Sequence, residues 1–480
     1  MVKPTTTPAI ANAPLVGLAE GNGQFSNVQL ALVILGVPWL LKRALPLVNR
    51  GGFWTYLFLL VLCGVPSAVS YWWVLSRIGR RVNDKVKLPG RPITDYIDFK
   101  DAELREKYAG KPGVKIPIQV AHDAYFEGKI DLKGDVLEVL EQRHDWASFE
   151  FTMELFVYVF TVLVPDVLFH TRSQDENQVR EHYDRGDDFY EWFLGPRMVY
   201  TSGVIHDTTR METLEELQDN KLELVCNKLS LSPEDRYLDI GCGWGALVAH
   251  AAKNYGCDAT GITIAKNQTK YCNDRIAKNG LSSDKARVLC LDYRDIPPEK
   301  TFTKISCLEM AEHVGIRRYG TFLRQLYDLL DDDGLIVFQV AGLRPAWQYE
   351  DLTWGLFMNK YVFPGADASC SLGWVVTQLE SAGFELKNVD VLGVHYSATL
   401  YRWYLNWLSN KASILGKYGD RWFRIWSFFL AWATIASRQG SASVFQITMH
   451  KNLNAFHRVE GINTHFGIHA TKQGGFEPVV

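Results

Sequence analysis

The run Leu238-Asp239-Ile240-Gly241-Cys242-Gly243-Trp244-Gly245 sets an acidic side chain and three alternating glycines where an apolar run gives way to a helical one. Glycines at that spacing allow a sharp turn and a close backbone approach to a ligand, with the N–H donors of the next helix behind them. Alone, such a loop is compatible with a dinucleotide, with S-adenosylmethionine or with no ligand. Two details separate these. The spacing is GxGxG, without the GxGxxG of the dinucleotide fingerprint, and Asp239 precedes the first glycine, placed to accept from a ligand ammonium.

The elements that must hold this loop are legible around it. Arg236 to Ile240 reads as a strand, Ala246 to Asn254 as a helix and Asp258 to Thr263 as a second strand. Further strand-like runs follow at Ala286 to Leu291, Lys304 to Leu308 and Gly334 to Ala341, with a helical stretch from Tyr319 to Leu330. This alternation predicts an α/β fold with a doubly wound, mostly parallel sheet. Ser443 to Met449 alternates as a late strand able to close the sheet, and Trp403 to Ile435 reads as a long aromatic-rich helical region.

Composition narrows the partners. With 51 Lys+Arg against 54 Asp+Glu, the net charge of -3 offers nucleic acid no bulk attraction, and none is expected. The 8 Cys form no CxxC pair or Cys/His cluster at ligand spacing, so reduced thiols and no metal are expected. The aromatic share of 13% favours apolar surfaces beyond one soluble core, and hence a lipid. Phe53 to Leu75 is apolar over the ~20 residues a spanning helix needs, with Trp54, Tyr56, Tyr71, Trp72 and Trp73 bracketing it. Val28 to Leu41 is shorter. The two read as a membrane hairpin, and Arg77, Arg80, Arg81, Lys85 and Lys87 put the downstream chain in the cytosol; Lys42, Arg43 and Arg50 would then lie on the far side, so a re-entrant or interfacial first segment is the alternative. A third apolar run, 151–169, carries Glu154, Pro165 and Asp166, and is expected to pack on the domain or lie in the interface. The expected organisation is a tail (1–27), a two-helix anchor (28–81), a linker with a small α+β region (82–180), the α/β domain (181–460) and a second tail (461–480). Within the domain, 345–370 is read as a lipid-binding insertion and 403–437 as a helical lid.

Asp239 through Gly245 resembles motif I of class I S-adenosylmethionine-dependent methyltransferases, with their Rossmann-like sheet. Six ordered stretches resemble, more narrowly, the cyclopropane-fatty-acyl-phospholipid synthase family: His182 to Tyr190, Met198 to Ser202, Thr213 to Gln218, Thr263 to Gln268, Asp292 to Asp295 and Glu312 to Gly315. With the apolar hairpin, the chain resembles the fungal sphingolipid C9-methyltransferases within that family. The resemblance implies methyl transfer from S-adenosylmethionine to the Δ8 double bond of a sphingolipid long-chain base, at a membrane taken to be the endoplasmic reticulum. Oligomeric state is left open, a homo-oligomer included. The alternatives are a cyclopropane or methyl-branch synthase acting on unsaturated phospholipid acyl chains and, more distantly, a non-catalytic lipid- or cofactor-binding scaffold.

By the same resemblance, Tyr200 and Thr201 border the cofactor, Asp239, Gly241, Gly243 and Gly245 hold its methionine end, Thr263 and Gln268 lie at its ribose, and Tyr293 and Arg294 at its adenine. In the cyclopropane synthases a bicarbonate ion serves as base, held by a Cys, a Glu, a His and a Tyr. Here Glu312 and Tyr396 match, while Ser202 replaces the Cys and Gln339 the His. Ser and Gln still donate hydrogen bonds, so bicarbonate is one candidate base; Glu312, Tyr396 or water acting directly is the other. His182 is a further candidate near the cofactor, as a catalytic or helix-entry residue. Proton loss from the added methyl closes a cyclopropane, whereas loss from C9 leaves a methyl-branched alkene, the outcome a relocated base favours.

Overall fold

The computed structural model describes residues 7–8, 26–78, 89–110, 113–163, 165, 186–297, 299, 301–345, 349–366 and 368–454. Seven strands form the central sheet: β1 (Arg236–Ile240), β2 (Asp258–Thr263), β3 (Ala286–Cys290), β4 (Phe302–Leu308), β5 (Leu330–Leu343), β6 (Phe384–Val391) and β7 (Ala442–Lys451). Their order is 3-2-1-4-5-7-6. The first five are parallel, and β7 runs antiparallel between β5 and β6. Chain order reverses between β1 and β4, and the connections leaving the carboxyl ends of those two strands diverge. An open parallel sheet holds its ligand in such a crevice.

Helices cover both faces. The Leu214–Leu229 helix starts in a capping box, Thr213 with Glu216, and the Ala246–Tyr255 helix starts at Gly245, whose φ of 75° is left-handed. The expected long helical region is three helices, Gly393–Ser409, Lys411–Tyr418 and Asp420–Gln439, divided at Asn410 and at Gly419, the latter with a φ of 83°. The last is buried along most of its length, with Trp426 and Trp432 inaccessible, so this stretch is core as much as cover.

Within the stretch read as a linker, a 3-10 turn at Ile93–Asp95 leads into a strand, Ile97–Phe99, paired with Ile130–Leu132. This region shares one core with the Gly393–Ser409 and Asp420–Gln439 helices. Arg143, fully buried, bonds both Glu350 at 2.7 Å and Gln439 at 2.8 Å, which neutralises its charge and ties the region to the insertion and the last helix.

The Asn27–Ala44 and Phe53–Ile78 helices pack antiparallel: Tyr71 donates to Gln29 Oε1 at 3.0 Å and Tyr56 to the Leu35 carbonyl at 3.0 Å. Their 18 and 26 residues rise about 27 and 39 Å, against a bilayer core of ~30 Å. Phe53–Leu75 is long and apolar enough to cross a membrane, and Phe58 and Val61 on it are 65% and 74% exposed. The third apolar run is a helix, Met153–Tyr158, continued by a π turn, Val159–Leu163. Glu154 accepts from Gln119 at 2.7 Å, anchoring one side on the domain, while Met153, Val157 and Phe160 are exposed on the other. The remainder of 151–169 beyond Leu163, apart from Pro165, and both tails from 455 and before Ser26, apart from Thr7 and Pro8, lie outside the described residues, as does His182.

Candidate active site

Asp239 ends β1 beneath the glycine loop. Its Oδ1 accepts from Ser306 on neighbouring β4 at 2.5 Å, and burial pushes its carboxyl up to about 6, against the Ser306 bond and the nearby Lys221 charge. Gly241 and Gly243 take left-handed φ of 75° and 53°. A Cβ on Gly243 would meet nothing within 4 Å and would project into the pocket the loop lines. Gly245 is glycine for a different reason: its Cβ would lie 2.9 Å from Cys272 Sγ, behind the pocket wall.

That pocket brings together Tyr200, Thr201, Asp239, Gly241, Gly243, Thr263, Gln268, Tyr293 and Arg294. Thr263 donates to Gln268 Oε1 at 2.7 Å, which turns the amide NH2 toward a ligand hydroxyl. Asp292 holds Arg294 through two bonds, at 2.8 and 2.6 Å, so Arg294 acts through its aliphatic and planar surface over the Tyr293 ring, 5.3 Å away. Lys221 was not visible in sequence. It is buried, donates to Thr201 Oγ1 at 2.6 Å, and is pulled down to about 8 by burial, opposed by Glu309 and Asp239. An acid for an ammonium, an oriented amide for a ribose and an open Gly243 for close approach suit S-adenosylmethionine.

A second cavity of about 620 Å³ adjoins the first, and Tyr200, Glu309, His313 and Val314 line both. Its walls are largely apolar, with Leu163, Ile316, Leu343, Leu356, Phe363, Leu400 and Phe429 among them. The 345–370 insertion supplies one wall and the Asp420–Gln439 helix another, and the end of the Met153–Leu163 segment reaches it through Leu163. Tyr200, Phe363 and Tyr396 line the cavity at the junction, Tyr200 and Phe363 with centroids 6.1 Å apart, and the buried Trp403 backs Tyr200 at 5.5 Å and Tyr396 at 5.8 Å.

Four of the residues read as catalytic meet at this junction. Glu312, buried, accepts from the Ala341 N–H at 2.5 Å through Oε1, and its Oε2 has no hydrogen-bond partner among the described residues. Burial, then the neighbouring Glu309, pushes it up to about 8. Gln339 does not face an open anion site; its amide donates to Glu309 Oε1 at 2.6 Å. The Ser202 hydroxyl donates to the Gly203 carbonyl at 2.9 Å, and it is the Ser202 backbone N–H that reaches Glu309, at 3.0 Å. Tyr396 bonds the same Glu309 carboxylate. Glu309 itself was passed over in sequence, although it stands three residues before Glu312 at the end of a central strand.

The switch-point sheet with its glycine loop and methionine-sized pocket makes the chain a class I S-adenosylmethionine-dependent methyltransferase. The model of the mycolic acid cyclopropane synthetase family matches residues 170–447, and the chain belongs to that family. It is 54% identical to sphingolipid C9-methyltransferase 2 of Gibberella zeae over 97% of this chain and 89% of that one. It is 53% identical to the sphingolipid C9-methyltransferase of Komagataella phaffii over 97% of this chain and 96% of that one. Among solved structures, a mycolic acid cyclopropane synthase complexed with SAH and CTAB superposes with a TM-score of 0.54 at 26% identity, over 57% of this chain and 98% of that one.

Proposed function

We propose that the chain methylates C9 of the Δ8-unsaturated long-chain base of a sphingolipid and leaves a methyl-branched alkene. The junction of the two cavities at Tyr200 and Glu309 carries this reading: a polar pocket fitted to the methyl donor opens onto an apolar cavity sized for a lipid chain. The relatives named for this reaction, at more than half identity over nearly the whole chain, support the acceptor. When bound, S-adenosylmethionine supplies a sulfonium methyl that the alkene's π electrons take up, the S–C pair staying on sulfur. The aromatic side chains at the junction stabilise positive charge on the lipid and exclude water. Bicarbonate, the alternative base, would need the Ser202 hydroxyl, the Gln339 amide and Tyr396; the hydroxyl bonds the Gly203 carbonyl, and Glu309 takes the other two.

The exposed hairpin and the outer face of Met153–Leu163 support attachment to a bilayer, which we place at the endoplasmic reticulum with the catalytic domain in the cytosol. The acceptor is tested by offering Δ8-unsaturated ceramide, glucosylceramide and unsaturated phospholipid together with methyl-labelled donor. Label in the sphingoid base is expected; label confined to phospholipid rejects the proposal.

Asp239 gives a pH prediction. Burial favours its protonated form, with the carboxyl at about 6, and only the ionised form attracts an ammonium. Affinity for S-adenosylmethionine is therefore constant above neutrality and falls roughly tenfold per unit well below pH ~6. Calorimetric titration from pH 5 to 8 checks this, and Asp239→Asn is expected to bind weakly with a flat profile.

A further inference from the structure

Once C9 carries the new methyl, the cation at C8 must lose a proton, and no base has yet been assigned. We propose that the carboxylate of Glu309 is that base, a protein group fixed at the mouth between donor and acceptor cavities. The inference rests on the methyl-transfer reading above.

Three independent observations carry it. First, Glu309 lines both cavities and is the carboxylate common to their linings. Second, its backbone is held at φ 56°, a conformation costly for a residue with a side chain. The strain is imposed by β4 ending there: Leu308 is still in register with Gln339, and the Glu309 N–H then turns to the Gln339 carbonyl at 2.7 Å. Third, the carboxylate is aimed. Oε1 accepts from the Ser202 N–H and the Gln339 amide, which fill its two acceptor sites, so the Tyr396 bond falls to Oε2, whose second lone pair is the one to take a proton.

The Gln339 amide cannot simply flip. Gln446 donates to its Oε1 at 2.8 Å, and Gln446 Oε1 in turn accepts from the Lys228 ammonium at 2.6 Å, which Asp390 holds at 2.5 Å. Because an ammonium has no acceptor, the orientation of the whole chain is fixed from Lys228 to Glu309.

Neighbouring charges separate the two acids. Burial holds the Glu309 carboxyl above the usual carboxylate range, against Ser202, Gln339, Lys221 and Tyr396, which all draw it down. Glu312, with one donor and a second oxygen unpartnered, is pushed up to about 8. Both acids are raised, but it is Glu312 that feels the charge of Glu309, so Glu309 is the first of the two to ionise. The step balances: Glu309 Oε2 takes the C9 proton, the C9–H electron pair becomes the C8=C9 π bond, and the charge at C8 and on the carboxylate both vanish.

Three variants test it in the full chain. Glu309→Gln is expected to bind S-adenosylmethionine within about threefold of the unaltered protein by calorimetry, yet to lose at least about 10²-fold in turnover, the lower end of a general base's contribution. Glu309→Asp, with its carboxylate withdrawn by one methylene, is expected to fall between. Glu309→Gly, freed of the left-handed strain, is expected to unfold at a higher temperature while turnover is lost, and added acetate to restore part of it. An unaltered protein that methylates sphingolipid beside a Glu309→Gln variant keeping more than about a tenth of its turnover overturns this inference alone. An unaltered protein that methylates no sphingolipid overturns the reading beneath it.

Discussion

Gly243→Val is expected to abolish S-adenosylmethionine binding in a chain that still folds, raising Kd at least about 100-fold. Nothing lies within 4 Å of a Cβ at Gly243, because that direction is the pocket itself. Valine's two γ-carbons would fill the space the donor must enter. The left-handed φ of 53° adds a backbone cost of roughly 1–2 kcal/mol, too little to unfold a domain of this size. Gly245→Ala is the informative contrast. Its Cβ would be driven to 2.9 Å from Cys272 Sγ, so packing suffers before the ligand does. Thermal denaturation with and without donor separates them: Gly245→Ala should start from a lowered midpoint and still be stabilised by ligand, whereas Gly243→Val should show no ligand-dependent rise.

Lys228→Met should destabilise the protein by about 3–5 kcal/mol, the usual result of breaking a buried ion pair on one side. Lys228 is fully buried, and its removal strands Asp390 and the Gln446 carbonyl together. Adding Asp390→Leu is expected to recover most of that stability, since an apolar pair replaces an ionic one at little cost. Turnover should not recover with it. Gln446 is still released, so the Gln339 amide loses the constraint that points it at Glu309. Chemical denaturation and turnover of the folded fraction, measured on both variants, distinguish a positioning role for Lys228 from a purely structural one.

The central strands were legible from the alternation of short strand-like and helical runs about the glycine loop: Arg236–Ile240 and Asp258–Thr263 have the bounds that alternation predicts. β6 was not. It lies at the sheet edge with Glu385, Lys387 and Asp390 along it, and an edge strand carries charge where a central strand carries none. The donor pocket followed from the loop spacing, since a glycine turn after the first strand acts locally. Lys221 could not follow, because Leu214–Leu229 reads as a polar surface helix and is buried only by its tertiary neighbours. Glu309 left one trace, an acid at the carboxyl end of a strand beside the chain reversal. Its role depends on Ser202, Gln339 and Tyr396, which converge on it from three distant segments.

The fate of the methyl hydrogens tests the central claim most directly. With trideuteromethyl-labelled S-adenosylmethionine and a Δ8-unsaturated ceramide, mass spectrometry of the long-chain base reads which proton leaves. Loss of the C9 proton to the protein predicts a product that retains all three deuteriums and its C8=C9 double bond. A product with two deuteriums and a saturated ring would mean that the proton leaves the added methyl, and would contradict the assignment of this chain as a methyl-branching enzyme.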